Sequence, residues 1–149
     1  VLIDLRKRLE NVRWPDAISG SDWDYGSNLN YLKELKFMQK IFFENKKKCL
    51  LLVVNKKKSF DQFLKGDFNL KNNIINRKDR DDLSFIYTGL QIIKPEVFSG
   101  LREEVFSINK IWDKLIQKNE LYGIESNISF LHVSTLVIYK KLLEKYFKL

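Results

Sequence analysis

Six consecutive apolar residues, Cys49-Leu50-Leu51-Leu52-Val53-Val54, stand between two lysine triplets, Lys46-Lys47-Lys48 and Lys56-Lys57-Lys58. A run this short, closed by β-branched residues and without polar alternation, reads as a strand buried on both faces. The neighbouring patterns decide what surrounds it.

Leu2, Leu5, Leu9 and Val12 recur at helical spacing, and Trp14-Pro15 ends that helix because the residue before proline avoids the helical region. An aromatic loop, residues 19–27, comes next. Asn28 is suited to cap a second helix with apolar positions Leu29, Leu32, Leu35, Met38, Ile41 and Phe42. Residues 66–70 and 74–75 flank Asn72-Asn73, a hairpin pattern with the two asparagines at the turn. Residues 84–93 form a long strand pattern closed by Lys94-Pro95. Ser107 opens a helix to about Lys118, with Ile108, Ile111, Trp112, Leu115 and Ile116 on one face. Residues 121–125 and 128–133 read as two further strands. Thr135 caps a last amphipathic helix through Leu136, Ile138, Tyr139, Leu142, Leu143 and Phe147. Strands alternating with helices define an α/β chain, and no internal repeat is visible.

Composition changes near Lys36. The segment before it, a quarter of the chain, holds Trp14 and Trp23 and half of the six arginines, whereas beyond it Arg77, Arg80 and Arg102 are the only arginines and lysine is the usual cation. No packing requirement explains such an exchange at exposed positions, so the bias marks a join inside the second helix. Leu29, Leu32 and Leu35 before the join and Met38, Ile41 and Phe42 after it keep a compatible face.

At 149 residues, 44% hydrophobic and 31% charged, the chain has the make-up of one soluble domain with a real core. No apolar run approaches the roughly 18 to 20 residues needed to span a bilayer, and charges at Asp4, Arg6, Lys7 and Arg8 fall where a signal peptide would be apolar. No membrane association and a cytoplasmic location are expected. Cys49 is the single cysteine and reads as a buried, inert thiol. The net charge of +8 lies mainly in lysine clusters beside helix ends and turns, with no basic stripe interleaved with aromatics. That arrangement suits solvated loops better than a nucleic-acid-binding module, and a phosphate-rich small substrate would also suit a basic cleft. There is no nucleophile elbow, zinc spacing, dinucleotide fingerprint or P-loop. By pattern alone, His132, the only histidine, is a strand residue at a polar edge.

Six stretches occur together in order: LLLVVNK at residues 50–56, KGDFNL at 65–70, FIYTGLQIIKPEVF at 85–98, FSINKIWDKLI at 106–116, LYGIES at 121–126 and FLHVSTLVIYKKL at 130–142. Together they resemble the C-terminal half of bacterial sugar-1-phosphate nucleotidyltransferases, the group that includes N-acetylmuramate-1-phosphate uridylyltransferase and mannose-1-phosphate guanylyltransferase-like proteins. The resemblance implies N-terminal helices followed by a partial mixed sheet with flanking helices, the C-terminal part of a Rossmann-type nucleotidyltransferase fold. It implies sugar 1-phosphate contacts at Gly66, Asp67, Thr88, Gly89 and Asn109. His132 stands where many relatives place a metal-binding aspartate in a pattern like Asp-Val-Gly-Thr, and Ser134 where they have the glycine. The resemblance thus implies Mg²⁺ at His132, a ligand less suited to that hard ion than a carboxylate.

The family's glycine-rich nucleotide loop and first metal aspartate are missing from these residues, so nucleotide transfer is not expected and no catalytic residue is assigned. Residues 4–15 (DLRKRLENVRWP) and 22–35 (DWDYGSNLNYLKEL) are instead similar to the opening of the epoxide hydrolase N-terminal domain. The nucleophile of those enzymes has no counterpart here, which weighs against an epoxide hydrolase-related activity. The expected organisation is a truncated composite: an epoxide hydrolase-like segment over residues 1–36 and a nucleotidyltransferase-like lobe over 37–149. Strands made for burial in a larger sheet would then leave an open edge, and self-association through it is expected.

Overall fold

A computed structural model describes residues 7, 29–78, 82–101 and 105–147. The expected helix over residues 2–12, the Trp14-Pro15 stop, the loop at 19–27 and the Asn28 cap lie outside this description, apart from Lys7. The chain divides into two compact units, Val1–Lys33 and Glu34–Leu149. The second unit contains the sheet and the helical residues that cover it.

Its centre is β1 (Cys49–Asn55), in which every residue from Cys49 to Val54 is buried. Side chains alternate across a strand, so Cys49, Leu51 and Val53 point to one face and Leu50 and Leu52 to the other. The first set packs with Ile111, Trp112 and Leu115 of α2 (Asn109–Gln117). The second packs with Met38 and Phe42 of α1 (Leu29–Glu44). Two helices thus cover the two faces of one strand, and each fully buried leucine contributes about 1.5 to 3 kcal/mol of transfer free energy.

Four more strands complete a mixed sheet: β2 (Asn69–Lys71), β3 (Ile74–Asn76), β4 (Phe85–Ile93) and β5 (Leu121–Glu125), in the order β2-β3-β5-β1-β4. β1 runs parallel to β5 and antiparallel to β4, and β3 runs antiparallel to β5. The hairpin between β2 and β3 turns on Asn72 and Asn73, whose φ values of 51° and 60° are those a two-residue type I′ turn requires. Between β1 and β4 the register slips. Leu51 pairs with Gln91 and Val53 with Tyr87, leaving Thr88, Gly89 and Leu90 opposite Leu52 alone.

The edge strands are β2 and β4. The start of the β4 edge is occupied, because Phe85 exchanges backbone hydrogen bonds with Phe68 (2.9 and 3.0 Å) and its carbonyl also accepts from the Asp67 N–H (2.7 Å).

At the carboxyl ends of β1 and β5, polar groups tie the layers together. The Glu34 carboxylate of α1 accepts from the buried Ser126 hydroxyl (2.9 and 3.1 Å) and the Asn127 N–H (3.1 Å). Lys58 donates to Glu125 (2.8 Å), the Ser126 carbonyl and Asn127.

Two expectations need correction. Residues 128–133 do not form a strand. Only Phe130 pairs, in a parallel bridge with Ser59, because the segment has a single neighbour and an apolar segment without a partner strand cannot propagate a ladder. The last helix, α3 (Leu136–Phe147), opens as expected with the Ile138 N–H on the Thr135 hydroxyl, but its apolar face is not buried as a unit. Ile138 is buried, whereas Leu136, Val137, Tyr139 and Tyr146 are exposed. Among the described residues no helix is long and apolar enough to cross a membrane.

Burial pushes the Cys49 thiol up to about 12, which leaves almost no thiolate at neutral pH. Cys49 is therefore expected to resist a thiol-specific disulfide reagent until the protein is unfolded in urea. Immediate labelling in native buffer would contradict this packing.

Candidate functional site

Gly66 and Asp67 enter the fold where the chain crosses the start of β4. A methyl group on Gly66 would overlap the Leu83 carbonyl, so the glycine permits two backbones to approach. Asp67 comes next, exposed, and its Oδ2 accepts from the Tyr87 N–H at 2.9 Å. That bond joins the Gly66-Asp67 segment to Tyr87-Thr88-Gly89. The Thr88 hydroxyl donates to the Leu52 carbonyl (2.9 Å), taking up an acceptor that the slipped ladder leaves over. Gly89 sits at φ 94°, a conformation that favours glycine, and its face is open.

Asn109 is the first residue of α2. Its side-chain oxygen accepts from the Arg77 guanidinium, and its amide donates to the Ser107 hydroxyl (3.2 Å). Ser107 also accepts from the Asn109 N–H (3.3 Å), a cap one residue earlier than the usual position. Arg77 reaches Asp113 as well (2.6 Å) and lies over the Phe68 ring at 4.7 Å. Phe68 is fully buried beneath it, edge-on to Trp112 (5.6 Å), which in turn meets Tyr87 (5.0 Å). The Asp67 bond ties Gly66 and Asp67 to Thr88 and Gly89, while Asn109 is linked through Arg77 to the Phe68 ring, which lies in the core with Tyr87 and Trp112.

His132 shares none of these bonds. Its exposed ring stacks on Phe130 (5.5 Å, 6° between planes). The carboxylate beside this loop is Asp61, buried and already committed: Oδ2 accepts from the Ser134 hydroxyl (2.5 Å) and Oδ1 from the Phe63 N–H (3.0 Å). The Ser134 bond, then the Phe63 bond, hold the Asp61 carboxyl below the usual aspartate value, and the His132 ring and Lys141 reinforce the effect electrostatically. An imidazole and a carboxylate with both oxygens engaged do not suit Mg²⁺, which prefers accessible oxygen ligands. Among the described residues no group of three or more His, Cys, Asp or Glu is placed to hold a metal ion.

The arrangement around Asp67 can bind polar ligands. It offers an exposed carboxylate at Asp67 and an open glycine at Gly89, and no activated nucleophile. Arg77 escaped sequence reasoning because its neighbours Asn109 and Asp113 lie far along the chain. Asp61 carried a local signal in Asp61-Gln62-Phe63, an Asx turn, but its Ser134 partner is 73 positions away. No family model matches the chain, and no curated protein matches it.

Two variants check this geometry. Gly66→Ala is expected to lower stability by about 2 kcal/mol or more in urea unfolding, because the clash is with backbone. Since the folded Asp61 value is depressed, its contribution is fully present above the ordinary value of 3.8 and is lost as the pH falls through the folded value. The gap in urea midpoint between wild type and Asp61→Asn should therefore be widest near neutrality and close on acidification. A gap independent of pH would refute the assignment.

Proposed function

We propose that residues 37–149 are a sugar-phosphate-binding lobe of the sugar-1-phosphate nucleotidyltransferase type, with its Rossmann-type α/β architecture, in a cytoplasmic composite chain whose residues 1–36 are epoxide hydrolase-like. Binding of a sugar 1-phosphate is the function assigned to it. The supporting observation is the Tyr87 N–H to Asp67 hydrogen bond. It draws together two separate stretches that both carry sugar contacts in the resemblance, and it leaves Asp67 exposed and Gly89 open beside them. Sugar hydroxyls can donate to Asp67, and a pyranose can approach over Gly89.

Affinity is expected to be low. The Arg77 charge is already matched by Asp113, and these 149 residues contain no nucleotide-phosphate loop to add binding energy. Transfer of a nucleotide depends on positioning and neutralising phosphates, so the activity assigned is binding alone.

Calorimetric titration with mannose 1-phosphate and N-acetylmuramate 1-phosphate is expected to give a dissociation constant of about 1 mM or weaker. Asp67→Asn, which keeps an acceptor for Tyr87, should weaken it roughly tenfold, or 1.4 kcal/mol. Absence of heat with both compounds would overturn the proposal.

A further inference from the structure

A cleft of about 260 Å³ lies between the Lys58–Gln62 segment, Ser129 and Leu131, and the end of α3 at Lys145 and Tyr146. It uses none of the residues around Asp67. We propose that it is a binding site for a phosphoryl group, either free phosphate or a phosphate monoester with a compact apolar ring.

Three observations carry this. First, Ser59 lines the cleft and is only 3% exposed, yet its hydroxyl is the one buried side-chain polar atom without a hydrogen-bond partner among the described residues. Buried hydroxyls are normally satisfied, and an orphan in a cleft wall points to a partner from outside the chain. Second, both charged residues that line the cleft are cations. Lys58 and Lys145 line it and no acidic residue does. Lys58 is engaged by Glu125, but Lys145 has no carboxylate partner among the described residues. Its ammonium is held 5.3 Å from the centre of the Phe60 ring and 5.4 Å from that of Tyr146, an attraction through the ring faces that leaves its N–H donors for a ligand. Third, the segments that form the walls are already hydrogen-bonded to one another. Phe60 N–H donates to the Phe130 carbonyl (2.9 Å), Phe130 N–H to the Lys58 carbonyl (3.0 Å), and the Gln62 amide to the Ser59 carbonyl.

The polar lining comes from three segments: Ser59 and Ser129 from the two bridged segments, and Lys145 from α3. A tetrahedral phosphoryl group presents acceptor oxygens in several directions and can meet all three, whereas a planar carboxylate presents two in one plane. Phe60, Leu131 and Tyr146 offer apolar surface to whatever the phosphoryl group is attached to.

The test is calorimetric titration of the full chain with inorganic phosphate, phenyl phosphate and benzoate. Saturable binding of a phosphate compound is expected, with benzoate at least tenfold weaker. Phenyl phosphate tighter than inorganic phosphate identifies a monoester as the ligand, and equal affinity identifies free phosphate. Lys145→Gln, at an exposed position, and Ser59→Ala, which removes the orphan hydroxyl, should each weaken binding about tenfold, while Asp67→Asn leaves it unchanged. Thermal midpoints of both variants at or above that of wild type show that loss of binding is not loss of fold. The proposal is overturned if no phosphate compound binds, if benzoate matches phenyl phosphate, or if neither Lys145→Gln nor Ser59→Ala alters the affinity.

Discussion

Because β1 carries no polar side chain between Cys49 and Val54, it can exist only where both its faces are dry. That requirement recruits α2 to the side of Cys49, Leu51 and Val53 and α1 to the side of Leu50 and Leu52. It also places β4 and β5 on its two edges, so that its backbone groups are paired as completely as its side chains are buried. The polar neighbourhoods are outgrowths of that centre. The Asp67 surface forms where β4 begins and the cleft at Ser59 where the chain leaves β1. The Glu34 anchor holds α1 to the residues that come after β5.

The parts of this architecture that could be read from the chain are those governed by neighbours in sequence. The apolar run of β1, the Asn72-Asn73 turn, the spacing of Ile111, Trp112 and Leu115 and the Thr135 cap are all set within a few residues. The register slip between β1 and β4 was hidden, because Thr88-Gly89 looks like ordinary strand sequence until Leu52 is seen to face three residues at once. The segment after β5 misled for the converse reason: Ile128, Phe130, Leu131 and Val133 make it look like strand sequence, yet only Phe130 finds a partner. Of the candidate site, resemblance to a family supplied the positions, and nothing local in the sequence announced Arg77 over Phe68 or the lone hydroxyl of Ser59. Both depend on segments that meet only when the chain is folded.

Charge is used differently in the two neighbourhoods. Arg77 is matched by Asp113 and bonded to Asn109, so it holds the β3 end to α2 and contributes little net field. Lys145 is held by aromatic faces instead, and an ammonium beside a π-system keeps its charge available. A chain with a formal charge of +8 therefore does not present that charge uniformly. What matters locally is whether a cation rests on a carboxylate or on a ring.

The irregularity in β4 has a phase. Two residues of β1, from Leu51 to Val53, span four of β4, from Gln91 back to Tyr87, so the surplus is an even number. Phe85 and Tyr87 on one side of the slip and Ile93 on the other therefore all join the α2-side core, while Leu90 and Ile92 join that of α1. An odd surplus would have turned one half of β4 inside out. Change in the length of this loop is consequently quantised: pairs of residues can be gained or lost at Thr88-Gly89 with both cores intact, and the rim of the sheet can be remodelled in steps of two without the interior registering it.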